Sequence, residues 1–472
     1  MVRHALTAVF AAAALAGSAV AQKCTRNQKC PKDAPCCGLY GDCGVGAFCL
    51  GGCDPTMSTT FDSCVPNPVC KSGTYKFEGL NDVQSINDYL GDNSKINWQS
   101  QGNPIKYPSG GVALTMAEGT VGTLLASTFY VWYGKICATM STSQGQGVVT
   151  AFIMMSDVKD EIDFEFIGND INNAQTNWYS QGVTNYQNME KLKVNPDTVS
   201  KTHEYCIDWS EDELSWSVDG NKGRTVKRTD SWNATAGRFD FPQTPSRVML
   251  SLWPAGLPSN GKGTIEWAGG EIDWDSKYMT NGMYAALVTE VTVDCYDPPA
   301  GIKAVGSKSY KYTDEMPTNN TVEITNELVV LHSLMDTGDE PGSASSSSSS
   351  SASTAPKPTK SVNMVPGGNP GGGARQDSAV AATNTAQPTS GSSPDGLAPG
   401  GGSAGGSSGG SGGGSTGGSD GSNNQWDQGN GGTGASTGTG TGNAGSVLEP
   451  GLGKVGGSAM AIVFAIFGLL VL

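Results

Sequence analysis

The stretch Asp160-Glu161-Ile162-Asp163-Phe164-Glu165-Phe166-Ile167-Gly168 carries the residue types best able to do chemistry. In a strand, side chains alternate between faces, so Glu161, Asp163 and Glu165 share one face and Ile162, Phe164 and Phe166 the other. Three like charges on one ridge repel, and each raises its neighbour's pKa. A purely structural strand has no reason to accept that cost, but glycosidic-bond chemistry does. One carboxylate attacks an anomeric carbon, while a second carboxyl, held protonated, donates to the leaving oxygen. The middle acid, Asp163, can hydrogen-bond Glu161 and set its ionisation. A retaining mechanism needs the two working carboxyls about 5–5.5 Å apart. Residues four apart on a flat strand are roughly 13 Å apart at Cα, so the strand must lie in a concave, twisted sheet. The competing readings are an exposed acidic face or calcium ligands. The Asp-x-Asn/Asp-x-Asn/Asp-Gly loop of an EF-hand is absent.

The elements around this strand read as all-β. Between residues 71 and 300, runs rich in Val, Ile, Thr, Tyr, Phe and Trp recur: Val112–Met116, Thr128–Met140, Gly147–Met155, Glu161–Ile167, Thr176–Gly182, Glu204–Trp209, Glu213–Val218, Arg247–Trp253 and Leu287–Asp294. Gly, Asn, Asp or Pro separates them, and Asp219-Gly220 marks a hairpin turn. The expectation is an antiparallel sandwich or barrel. Within Arg247–Trp253, parity puts Arg247, Met249, Ser251 and Trp253 on one face. There Trp253 would offer a flat platform to a pyranose and Arg247 donors to hydroxyls; core packing is the competing reading for Trp253. Trp178 and Tyr179 point to opposite faces, so at most one lines a cleft.

Composition narrows the functions further. The 472 residues carry 44 acidic and 29 basic side chains, a formal charge of −15, which argues against a nucleic-acid partner. Of three histidines, His4 lies in a leader, leaving His203 and His332, too few for a His-rich zinc site or a favoured Ser-His-Asp relay. No cofactor is called for, and the chain is expected to be a monomer. Met1–Ala21, with Arg3, an apolar run and Ala19-Val20-Ala21, reads as a secretory signal. Residues 22–70 hold nine of the twelve cysteines and read as a disulfide-stapled module, with at least one thiol bridging outward or left free. Residues 301–443 read as a linker and a Ser/Gly-rich stalk, flexible from Ser343 onward. The 14-residue apolar tail Ala459–Leu472, behind a polar spacer and small residues, reads as a glycosylphosphatidylinositol (GPI) signal on 444–472, with Asn443 as anchor. Asn233 and Asn319 head N-glycosylation sequons and are expected at the surface. Cys137 and Cys206 are expected to form a structural disulfide.

Glu161-Ile162-Asp163-Phe164-Glu165 resembles the active-site strand of glycoside hydrolase family 16, a β-jelly roll with a concave sugar-binding cleft. Residues 71–295 look like its fungal Crh branch of chitin–glucan transglycosylases. Further matching stretches are Gln175-Thr176-Asn177-Trp178, Ser251-Leu252-Trp253-Pro254-Ala255-Gly256 and Gly261-Lys262-Gly263-Thr264-Ile265-Glu266-Trp267. The resemblance implies Glu161 as nucleophile, Asp163 as helper, Glu165 as general acid/base, and sugar contacts from Trp253 and Thr264; Trp178, in a matching stretch, is a further candidate for substrate binding. It further implies β-1,4-linked chitin as donor, β-glucan or chitin oligomers as acceptors, and a location at the plasma membrane or wall. A β-glucan hydrolase, a xyloglucan-type transglycosylase and a non-catalytic wall lectin remain as alternatives.

Cys36-Cys37-Gly38-Leu39-Tyr40-Gly41-Asp42-Cys43-Gly44 is similar to the hevein-type, family 18 chitin-binding module. That resemblance implies the pairs Cys24–Cys37, Cys30–Cys43 and Cys36–Cys49, with Tyr40 and Phe48 as sugar-stacking rings. Gly38 stands where the family usually has Ser, and Asp42 where it has an aromatic. A degenerate structural cap is the competing reading.

Overall fold

The computed structural model describes residues 22–183, 185–342 and 362–365. The leader, nearly all of the stalk, Asn443 and the tail lie outside the described residues.

Two eight-stranded sheets form a sandwich. The sheet bearing the acids runs, edge to edge, Glu190–Lys193, Asn173–Tyr179, Glu161–Ile167, Val148–Ser156, Ser246–Pro254, Thr123–Val131, Trp98–Gln101 and Val83–Ser85. All pairings in it are antiparallel except the last, between Trp98–Gln101 and Val83–Ser85. The other sheet runs Asn221–Lys227, Glu213–Val218, His203–Trp209, Gly134–Ser141, Met283–Cys295, Val112–Ala117 and Ile105–Lys106, with Gly73–Lys76 also paired to Met283–Cys295. The facing sides bury one core, including Phe152, Ile162, Phe164, Phe166, Tyr205, Trp209, Leu250 and Val288. The β-branched and aromatic runs therefore do what their composition predicts. Asp219 and Gly220 both take positive φ, 49° and 76°, as a two-residue hairpin turn demands.

Some expected elements change. The run Thr128–Met140 splits into Thr123–Val131 and Gly134–Ser141, one in each sheet, because Tyr133 adopts φ 65° and turns the chain. Residues beyond 300 are not simply a linker. Ser309–Tyr312 pairs with Val322–Thr325 and with Asn67–Pro68. The main-chain N–H of Gly46 donates to the Asp336 carbonyl, and that of Gly338 to Ser63. Lys311 pairs with Asp62 at 2.6 Å. Within the expected stalk, the carbonyls of Asn363 and Met364 accept from Val45 and Ala47. This segment straps the N-terminal module in place.

All twelve cysteines are paired. Cys24–Cys37, Cys30–Cys43 and Cys36–Cys49 form as the resemblance implied. Cys53–Cys64 completes the module, and Cys137–Cys206 links two register partners in adjacent strands. The odd cysteine of the module, Cys70, bridges outward to Cys295. Of the sequon residues, Asn233 is half-buried and donates to Asp240, whereas Asn319 is buried at 5% exposure and donates to Glu211. The surface position expected for Asn319 is thus not met: Thr318–Thr321 packs it against the sandwich.

Candidate active site

The acid strand spans Glu161–Ile167 and alternates as its sequence dictates. Ile162, Phe164 and Phe166 enter the core, so Glu161, Asp163 and Glu165 must face away from it. The strand is pinned at its start and near its middle. Asp160 accepts from the main-chain N–H of Gln181, Gln243 and Thr244 and from the Thr244 hydroxyl, at 2.9, 2.9, 3.0 and 2.6 Å. Across the core, the Trp216 indole N–H donates to the Asp163 carbonyl at 3.0 Å.

Register defines the face around the acids. Glu161 lies beside Tyr179 and Met155, Asp163 beside Asn177 and Ile153, and Glu165 beside Gln175 and Ala151. The next strand continues the rows with Arg247, Met249 and Ser251. The three acids are 8%, 0% and 3% exposed. All three carboxyls are pushed well above the usual carboxylate range, first by burial. The charges of Asp163 and Glu165 raise Glu161 further, and the charge of Asp163 raises Glu165. The side chains of Glu161 and Asp163 also act on one another, raising Glu161 and lowering Asp163, so the two titrate as a pair. Among the described residues, neither Asp163 oxygen, nor Glu161 Oε1 or Glu165 Oε1, has a donor. Ser251 Oγ and Trp253 Nε1 on the same face are likewise buried without a partner. Buried polar atoms are normally satisfied, so this cluster marks capacity reserved for a hydroxyl-rich ligand.

Other expected site residues are redistributed. Trp178 is paired with Ile162 and packs into the sandwich core near Phe241, so it does not line this face; Tyr179 does, by parity. Tyr179 accepts from the Asn177 amide at 2.6 Å, leaving its own proton to donate. Its pKa is raised by burial and then by the charges of Asp163, Glu161 and Glu165, which places the phenol among them. Trp253 is on the acid face but wholly buried, its ring 6.1 Å from that of Trp267 at 28°. Trp267 is the half-buried ring that remains near the surface, and its indole N–H donates to Gln175 at 2.9 Å. It ends the short helix Lys262–Trp267, on which Thr264 is buried. Arg247 is not free to bind hydroxyls: Nε donates to the Ser127 carbonyl at 2.8 Å and Nη2 to Gln99 at 2.9 Å. Tyr179, Asn177, Gln175 and Trp267 were the residues missed. Counting by twos along Gln175-Thr176-Asn177-Trp178-Tyr179 would have found the first three.

The N-terminal module supplies neither expected stacking ring. Phe48 is 2% exposed within the module's own core, closed over by Gly38 and Gly44. Tyr40 is half-buried, and with Leu39 it packs on the acid-bearing face against Leu124, Ala126, Met249 and neighbours. The structure therefore favours the cap reading of this module.

Residues 92–269 match glycosyl hydrolases family 16. Crh-like protein 3 of Botryotinia fuckeliana is 50% identical over 337 residues, covering 71% of this chain and 74% of that one. The chain belongs to the Crh-like proteins of glycosyl hydrolase family 16. Crh-like protein 2 of Aspergillus fumigatus is 47% identical over 374 residues, 78% of this chain and 83% of that one. A solved Crh5 transglycosylase in complex with NAG is 30% identical, with TM-score 0.47, over 58% of this chain and all of that one. Family 16 is a family of glycosyl hydrolases, and here the disulfide-rich module precedes the β-sandwich.

Proposed function

We propose that the protein is a retaining transglycosylase that cleaves β-1,4-linked chitin and transfers it to β-glucan or chitin-oligomer acceptors. The observation that carries this reading is the buried row Glu161–Asp163–Glu165, with oxygens left unpartnered on a face that also holds Ser251 Oγ and Trp253 Nε1. In the first step Glu161, as carboxylate, bonds to the anomeric carbon while the bond from that carbon to the leaving oxygen breaks. Glu165 gives that oxygen its proton. Burial, the larger of the two effects that raise it, keeps Glu165 protonated for this task. For this attack the pair Glu161 and Asp163 must hold its proton on Asp163, leaving Glu161 ionised. In the second step an acceptor hydroxyl gives its proton to Glu165, bonds to the anomeric carbon and releases Glu161. Transfer exceeds hydrolysis when acceptor binding lowers this barrier more than water can.

The leader, stalk and tail composition support an extracellular, GPI-tethered enzyme acting among wall polymers as a monomer. The test is mass spectrometry of products from chito-, laminari- and xyloglucan oligosaccharide donors, each with glucan and chitin-oligomer acceptors. Chitin-derived transfer products, lost in Glu161→Gln, are expected. A protein that transfers only from laminari- or xyloglucan donors would overturn the donor assignment. Full function retained in Glu161→Gln would overturn catalysis.

A further inference from the structure

The half of the acid-bearing face furthest from the acids is occupied. Gly38, Leu39, Tyr40, Gly51 and Gly52 of the N-terminal module lie over Gln99, Gln101, Leu124, Ala126, Arg247 and Met249. The space left between the two surfaces is about 30 Å³. One water needs roughly 10–15 Å³ by this measure, so the gap holds a water or two and no pyranose ring. The fit is close: a Cβ on Gly51 would lie 2.5 Å from Arg247 Nη1. The polar groups beneath are already spent, Arg247 on Ser127 and Gln99, in contrast to the unpartnered atoms of the acid row. Tyr40 marks the border, since its phenol senses the charges of both Arg247 and Glu161.

The cover is anchored at many points. Gly52 N–H donates to Asp157 Oδ1 at 2.9 Å and to the Tyr130 hydroxyl at 3.1 Å. Asn67 Nδ2 donates to Asp157 Oδ2 at 2.8 Å, and Tyr130 to Oδ1 at 2.7 Å. Cys70–Cys295 ties the module's end to the sandwich, and the strap of residues beyond 300 holds its other side.

We propose that the N-terminal module is a fixed end wall of the polysaccharide cleft, and that Leu39 and Tyr40 set how many sugar units fit on its side of the reacting bond. This rests on the proposed transglycosylase reading. A bound chain then extends along the acid strand and toward Tyr179, Gln175 and Trp267, and stops at Tyr40. The same module that resembles a chitin binder acts here by exclusion, as a determinant of fragment length.

The test uses the full-length protein with end-labelled chitin oligomers of graded length. Wild type is expected to release fragments with a sharp upper length on one side of the cleaved bond. Leu39→Ala/Tyr40→Ala should lengthen that limit by one unit or more, while Tyr40→Phe, which keeps the ring, retains the wild-type pattern. An unchanged limit in the double variant overturns the wall. A second readout needs no turnover: hydrogen exchange of the Glu161→Gln protein with chitin oligomer. The wall predicts ligand protection at Glu161–Ile167 and Asn173–Tyr179, and none at Trp98–Gln101 until Leu39 and Tyr40 are truncated. Protection at Trp98–Gln101 beneath the intact module overturns it. The expected protection pattern in a protein without transfer activity would sink the transglycosylase reading while leaving the wall standing.

Discussion

Asp163→Asn should make the protein more stable at neutral pH, because the middle acid, flanked by two others, must there either bear a repelling charge or hold a proton above its ordinary pKa. Neighbours two residues apart on a strand lie about 6.6 Å apart. At an effective dielectric of about 20, two unit charges at that distance repel by about 2.5 kcal/mol. Asp163 has two such neighbours, is fully buried, and has no conventional donor to either oxygen. The wild type escapes part of the repulsion by binding protons, which at pH 7 itself costs about 1.4 kcal/mol per unit that a pKa is raised. An isosteric amide removes one charge and can donate to Glu161, so a net gain of about 2 kcal/mol is expected, or about 5 °C in Tm for a domain of this size. The pH dependence carries the sign. Folded-state pKa values raised above the unfolded ones contribute stability that is complete below the unfolded value, near 4, and is lost as pH rises. The amide loses nothing over that range. The variant's advantage should therefore be small at pH 4 and widen toward pH 7, as followed by scanning calorimetry. A variant less stable than wild type at pH 7, or an advantage that does not change with pH, would refute the electrostatic reasoning.

Glu165→Gln should lower transfer by about 10²–10⁴-fold, the usual scale for a lost general acid, while oligosaccharide titration shows binding retained. Glu161→Gln should abolish the glycosyl-enzyme, and anomeric NMR of wild-type products should show retention of configuration. Asp157→Ala leaves the Tyr130 hydroxyl and the Asn67 amide without their acceptor, each costing about 1–3 kcal/mol, and removes the shorter of the two acceptors of the Gly52 N–H. Burial pushes Asp157 up to about 6, so its contribution to stability is complete below about 4 and fades through about 6. The variant's stability deficit, measured by denaturant unfolding, should then be larger at pH 4 than at pH 7. Replacing Cys70 and Cys295 together by Ser opens a link across 225 residues and should cost about 2–5 kcal/mol, read as a Tm lower by roughly 10 °C.

What could be read from the sequence depended on how far a residue's partners lie along the chain. The acid row was legible because strand alternation is local: Phe164 going inward sends Asp163 outward with no other information. The same rule placed Trp253 and Arg247 on the acid face, and would have exchanged Trp178 for Tyr179 had parity been carried across the register from Glu161. The limits of the segment beyond 300 were hidden because its strands are short, and Ser309–Tyr312 finds its partner at Asn67–Pro68, far away in sequence. Tyr40 is the sharpest case. Its cysteine framework is local and correctly implied all three hevein-type bridges, so the motif also pointed to an exposed sugar platform. Which way that ring faces is decided by Met249, Ala126 and Leu124, apolar side chains on a sheet face that would otherwise meet water. Covering that surface is favourable by roughly 25 cal/mol per Å². Once Gly51 lets the module approach so closely and the Gly52 N–H ties it to Asp157, Tyr40 faces the cleft rather than solvent. A motif can thus keep its disulfide framework while its binding ring is turned to a neighbouring site.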